Sequence, residues 1–369
     1  MKTIKYTILF FTFFFLILSC REEMILDESL LQPKIAVSTF LTPGDIIYIK
    51  LLHDIPVYQK NNGMYQNNDG MNEVPDANIV LYEDNEIVEE LERHFYVQTY
   101  WDENGESVVS STDTSFSFYT TDRLAQVGKT YRMEIESATY GNLSCETTIP
   151  VPVENINLKT EFEKTENNNR SYYKVIFKLK FSDPKDEKNY YRIILNEIEG
   201  AKSNVVGDSL NQTIYLRNSS FGSHFYTEDP IFFYEKNNAN SFVVGETDNN
   251  YGIFTDETIN GKDYELSIYT TLNPDPAYLD TTIGEFIQYE VILQSISTEM
   301  YYYLKSIDQQ EIMYQFPFAE PIPIYSNVEN GIGIMGSYSS ISIISTSFGQ
   351  YPKEGIKYSE NQIPGQNNY

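Results

Sequence analysis

Tyr131-Arg132-Met133-Glu134-Ile135-Glu136 alternates apolar and charged side chains without a break. Successive side chains of an extended chain point to opposite faces, so Tyr131, Met133 and Ile135 share one face and Arg132, Glu134 and Glu136 the other. That is the pattern of an antiparallel strand with one side on a core and the other in water. Tyr140-Gly141-Asn142 supplies a turn, and Leu143, Cys145, Thr147 and Ile149 continue the inward row on a returning strand. On this geometry Cys145 is a small buried hydrophobe rather than a reactive thiol.

The same period of two runs through the second half. Tyr173, Val175, Phe177, Leu179 and Phe181 form one face of a strand whose other face carries Lys174, Lys178 and Lys180. Further strands are expected at Tyr190 to Leu195, Tyr264 to Thr270 and Phe286 to Leu293, the last turning Ile287, Tyr289, Val291 and Leu293 inward. One helix is expected near residues 298–312. Ser297 or Thr298 caps it, Glu299 suits its first turn, Met300, Tyr303, Leu304 and Ile307 make an apolar stripe for packing on the sheet, and Pro317 ends it. The fold class is therefore mainly β: two β-sandwich domains, the first immunoglobulin-like, the second with one packed α-helix.

The seam between them is expected at Ile149-Pro150-Val151-Pro152-Val153, where alternating prolines remove backbone donors and hold the chain extended. The expected organisation is a signal peptide at 1–19, a lipidated tether at 20–32, a sandwich at 33–150 and a second β-rich domain at 151–369. The leader follows from two lysines in residues 1–6 and an apolar run from Thr7 to Leu18. That run is short for a span, which needs roughly 20 apolar residues. Ile17-Leu18-Ser19-Cys20 resembles the bacterial lipobox, in which the cysteine is acylated and becomes the mature N-terminus; Ile17 stands where Leu is more usual. Arg21, Glu22 and Glu23 resemble the signal that sends Bacteroidota lipoproteins to the outer face of the outer membrane, and an ordinary polar tether is the alternative. Thirteen tether residues reach at most about 45 Å.

With 26 Lys and Arg against 53 Asp and Glu, the formal charge is −27, and loss of Lys2 and Lys5 with the leader makes it more negative still. Such a charge repels nucleic acid and anionic membrane surfaces, so a lipid, not a basic patch, must do the anchoring. Of two cysteines, Cys145 has no partner in the chain once Cys20 is acylated, so a packed core and no disulfide framework supplies stability.

Catalytic patterns are scarce. His53, His94 and His224 lack a metal-ligand spacing, and neither G-x-S-x-G nor a phosphate-cradling glycine loop occurs. No enzyme activity, cofactor or metal is expected. Asp248-Asn249-Asn250 with Asp256-Glu257 offers hard oxygens for Ca²⁺ but fails the EF-hand spacing and reads as a polar loop. Aromatics are the other excess, with 31 Tyr and 22 Phe. Strand preference explains most of them. Tyr100 and Trp101, before the turn-like Asp102-Glu103-Asn104-Gly105, and Phe225 and Tyr226, in a stretch without alternation, are candidate recognition residues, because loop aromatics supply rigid contact area.

Asp183-Pro184 with Asn189-Tyr190-Tyr191-Arg192, Ser295-Ile296-Ser297 through Tyr303-Leu304-Lys305-Ser306, Pro317-Phe318-Ala319-Glu320-Pro321, and Gly331-Ile332-Gly333-Ile334-Met335-Gly336-Ser337-Tyr338 follow one another in order. Together they resemble a Bacteroidota outer-membrane lipoprotein family known only as a domain of unknown function, family 4249 of that series, from about Pro33 to Tyr351. The resemblance implies a non-enzymatic cell-surface protein, often encoded beside a TonB-dependent outer-membrane receptor, and brings no functional residues with it. The expected role is accessory capture of a glycan or peptide for such a receptor. The alternative is a structural or adhesion lipoprotein that contacts another protein.

Overall fold

The computed structural model describes residues 34–53, 73–101, 107–167, 170–185, 187–203, 213–220, 225–232, 251–272, 286–314, 322–345 and 348–349. Eight strands precede the proline seam: β1 (Ile35–Leu41), β2 (Ile46–His53), β3 (Ala77–Glu83), β4 (Glu86–Glu90), β5 (Glu92–Trp101), β6 (Ser107–Leu124), β7 (Thr130–Ser137) and β8 (Gly141–Thr148). After it come β9 (Asn157–Asn167), β10 (Arg170–Ser182), β11 (Tyr190–Ser203), β12 (Thr213–Ser220), β13 (Ile253–Thr255), β14 (Asp263–Leu272) and β15 (Phe286–Ile296). Helix α1 (Thr298–Tyr314), β16 (Val328–Glu329), β17 (Ile332–Ile344) and β18 (Phe348–Gly349) complete the described chain. Among the described residues the protein is mainly β, of β-sandwich type, with one α-helix.

Period-two alternation becomes burial where it was expected. Tyr131, Met133 and Ile135 are fully buried, and Leu143, Cys145, Thr147 and Ile149 lie beside them, in the register Ile135 to Leu143, Met133 to Cys145 and Tyr131 to Thr147. Gly141 starts β8 at φ 86°, a left-handed conformation that suits glycine. Burial pushes the Cys145 thiol up to about 12, so it stays protonated. Val175, Phe177, Leu179 and Phe181 are likewise buried, as are Ile287, Tyr289, Val291 and Leu293.

One sheet organises everything else. It contains ten strands in the order β12-β11-β15-β17-β1-β2-β6-β5, with β13 beside β11 and β18 beside β15. A five-stranded sheet, β16-β8-β7-β3-β4, closes the first core with β1, β2 and β6. A three-stranded sheet, β14-β10-β9, closes the second core with β11 and β15. Two sandwiches thus share one sheet, and residues on both sides of the proline seam contribute to it. The link is β17, which pairs parallel with β1 from Ala36 and Ile332 to Leu41 and Ser337, and antiparallel with β15.

Helix α1 covers the other face of the shared sheet. Ser297 caps it: its Oγ accepts from Met300 N–H at 3.2 Å, and its carbonyl accepts from Tyr301 N–H at 3.0 Å. Met300, Tyr301 and Leu304 are buried with Tyr190, Ile253 and Ile296. Tyr301 takes the deep position that the stripe assigned to Tyr303, because its ring meets Tyr190 with 4.6 Å between centroids. Close approach depends on Gly336, where an added Cβ would press on the Phe40 ring and Met300. Pro317 lies outside the described residues.

Candidate functional site

Cys20 and Arg21, Glu22 and Glu23 lie outside the described residues, as do Asp248, Asn249 and Asn250. Asp256, the other part of that acidic stretch, is buried and occupied. Its Oδ2 accepts from Asn189 N–H at 2.9 Å and Asn260 Nδ2 at 3.1 Å, while its carbonyl accepts from Ile259 and Asn260 N–H. It closes a loop. Among the described residues no three His, Cys, Asp or Glu side chains converge as metal ligands.

Tyr100 and Trp101 are the last two residues of β5, opposite Val108 and Ser107 on β6, so they stand on a hairpin arm rather than in a loop. Their side chains lie outside what is described. Phe225 and Tyr226 separate. Phe225 is partly buried against the second core, its centroid 6.2 Å from that of Phe232. Tyr226 is 45% exposed.

Tyr226 is nonetheless built in. Its N–H donates to the Tyr269 carbonyl at 2.7 Å and its carbonyl accepts from Tyr269 N–H at 2.8 Å, a two-bond bridge to β14. Thr227 Oγ1 donates to the Ser267 carbonyl at 2.8 Å, and Asp229 Oδ2 accepts from Ser267 N–H at 3.0 Å, extending the docking along the strand. The Tyr226 and Tyr269 rings stack at 5.5 Å and 26°. Lys174 of β10 places Nζ 3.8 Å from the Tyr269 centroid, a cation–π contact, and Ile176 lies across the ladder from Tyr269. An ordered stripe of Tyr226, Tyr269 and Lys174 therefore runs over the outer face of the three-stranded sheet, whose inner face is core.

Further along the described part of that face the charged side chains are paired. Lys178 and Lys159 each reach Glu161 at 2.7 Å, and Lys180 reaches Glu265 at 3.3 Å. The Lys159 ammonium first, and Lys178 next, pull the Glu161 carboxyl down to about 2. Charges paired this way bind little else, which leaves the aromatic stripe as the surface able to contact an apolar or sugar face. Tyr269 and Lys174 escaped sequence reasoning because each looks like an ordinary strand residue. The usable signal was parity: both are the outward members of strands whose inward rows are apolar.

The shared sequence stretches turn out to be joints of the fold. Asp183 is buried and accepts from the Tyr191 hydroxyl at 2.5 Å and Gly261 N–H at 2.9 Å. Burial raises its carboxyl despite those two donors. Asn189 closes on Asp256, Tyr190 packs under α1, Ser297 caps α1, and Gly333 sits at φ 102° where any Cβ would collide with the Val37 carbonyl oxygen. Comparison with known families matches residues 22–343 to the one described as Domain of unknown function (DUF4249). No curated protein matches the chain.

Proposed function

The chain belongs to the DUF4249 family, and on that premise we propose that it is a non-catalytic lipoprotein on the outer face of the outer membrane, an accessory binding protein of a TonB-dependent uptake system. Ser19-Cys20 directly after an apolar leader supports the anchor. The observation that carries binding is the Tyr226, Tyr269 and Lys174 stripe, an ordered aromatic surface fixed by two backbone hydrogen bonds and held on a rigid sheet. Rigid aromatics lose little conformational entropy on contact, so they suit capture of a glycan or peptide for a receptor.

Crosslinking in intact cells, followed by identification of the partner, tests the whole reading. The expected partner is an outer-membrane receptor, and capture by surface fibres or matrix would instead support the adhesion alternative. Cys20→Ala is expected to abolish acyl labelling, and label persisting in that variant refutes the anchor. Tyr226→Ala is expected to leave thermal stability nearly unchanged and to weaken the partner at least about tenfold, as interface anchors do. Unchanged binding rules the stripe out.

A further inference from the structure

Arg192 lies on the helix side of the shared sheet, in a row of side chains that crosses four strands: Ile253 of β13, Arg192 of β11, Gln294 of β15 and Ser340 of β17. Ile253 belongs to the apolar cluster under α1, with Tyr251 and Tyr338 partly buried at its margin. The Arg192 guanidinium lies beside Tyr251, at the margin of that cluster. Its Nε–H donates to the Tyr251 carbonyl at 3.0 Å, using one of the five N–H groups that arginine carries. Among the described residues no carboxylate pairs with it. Two carboxylates of α1 act on Tyr251, Glu311, which accepts from its hydroxyl at 2.9 Å, and Asp308, and neither is paired with Arg192. Burial lowers the Arg192 pKa, the direction expected of a desolvated cation lacking a counter-charge.

Beside Arg192 is a second unsatisfied group. Gln294 is 94% buried (6% exposed), and its Nε2 donates to Ser340 Oγ at 3.2 Å, but its Oε1 has no hydrogen-bond partner. An orphaned buried amide oxygen is costly, and Gln294 is the residue paired with Arg192 across the ladder. Ser340 and Ser342, the next outward residues of β17, are exposed, so solvent reaches the row from that edge.

We propose that Arg192, Gln294 and Ser340 form a binding site for a small carboxylate that carries a hydroxyl or amide beside its acid group. The carboxylate lies against the free N–H groups of Arg192, where two oxygens match the planar fork, and the neighbouring hydroxyl or amide satisfies Gln294. Sugar acids and peptide carboxy-termini both present this chemistry. The strongly negative net charge does not prevent it: exposed charges are screened over about 8 Å at physiological ionic strength, whereas the guanidinium acts in direct contact. The site stands on its own geometry and does not rest on the lipid anchor or on the aromatic stripe.

Titration calorimetry on the purified full-length chain in a carboxylate-free buffer tests the site with two matched pairs: D-galacturonate against D-galactose, and acetyl-glycyl-glycine against its amide. Binding of galacturonate but not galactose, lost in Arg192→Gln, places a sugar acid there. Binding of the peptide acid but not its amide, with the same dependence, places a peptide carboxylate there. Arg192→Lys is expected to weaken the acid that binds by at least about tenfold, since a point charge replaces the bidentate fork. Ser340→Val, at an exposed position, guards against misfolding of the arginine variants and is expected to reduce affinity severalfold by releasing Gln294. The proposal is overturned if neither acid binds the parent chain, if the neutral partner binds equally well, or if Ser340→Val and Arg192→Gln both keep full affinity.

Discussion

Asp183 draws together a strand end, the start of β11 and the turn before β14, through the Tyr191 hydroxyl and Gly261 N–H. A carboxylate buried this deeply persists because both donors point at it, and each donor in turn depends on it. Asp183→Ala is therefore expected to cost about 2–3 kcal/mol, because the buried Tyr191 hydroxyl and the Gly261 N–H lose their acceptor together. Urea unfolding of the single and double variants checks this. In a cycle with Tyr191→Phe, the double variant should be less destabilised than the two single effects combined, and strict additivity would mean that the hydroxyl does not depend on Asp183. Sequence alone marked Asp183 and Tyr191 as a recurring pattern but gave no reason for it, since Gly261 lies far along the chain. Cys145 was legible because strand parity decides burial. Phe225 and Tyr226 were not separable, because parity has no meaning outside a strand and only the bridge to Tyr269 turns one ring inward and the other out.

Elements with a clean alternation or a capping signal were legible as elements: β7 and β8 as a paired hairpin, β10, β11, β14 and β15 as strands, and α1 with its Ser297 cap. Strand β17 was hidden. Gly331, Gly333 and Gly336 break its apolar rhythm, yet those glycines are what let β1, Phe40 and α1 approach so closely. Their smallness reads as weakness in a sequence and as tight packing in the fold. Ser297 joins the helix to this strand, since its Oγ accepts from Met300 N–H and also from Ser337 N–H at 3.3 Å. Ser297→Ala is accordingly expected to destabilise by about 2 kcal/mol, the upper end for a lost cap, because a buried strand amide is orphaned as well. Ser297→Thr, which keeps the hydroxyl, should recover most of that in thermal unfolding. Equal loss in both variants would assign the effect to packing.

At the scale of the whole molecule, the proline seam divides the sequence but not the structure. Met335 and Val328, from the far end of the described chain, belong to the first core, and β17 gives β1 one of its two neighbours. Side chains bind the seam itself to that strand: Ser337 Oγ donates to the Thr148 carbonyl at 2.8 Å and Ser339 Oγ to the Pro150 carbonyl at 2.6 Å. Polar groups buried at such a junction lose their partners if either sandwich opens alone, so opening one half carries the cost of orphaning the other. Strand β1 would also become a bare edge of exposed N–H and C=O groups. The full chain is therefore expected to melt in one calorimetric transition, with the calorimetric enthalpy matching the van't Hoff value, although its length is enough for two independent domains. Residues 33–150 made alone should give collapsed amide chemical shifts and aggregate, because the fragment carries β1 without β17 and a core missing Val328 and Met335. A well-dispersed spectrum from that fragment, or two separated transitions in the full chain, would show that the shared sheet does not couple the halves. Parallel pairing of the first and one of the last strands also sets the order of events. Closing so long a loop is slow and gains nothing until both partners exist, so the N-terminal half should gain protection from hydrogen exchange only after β17 has been made.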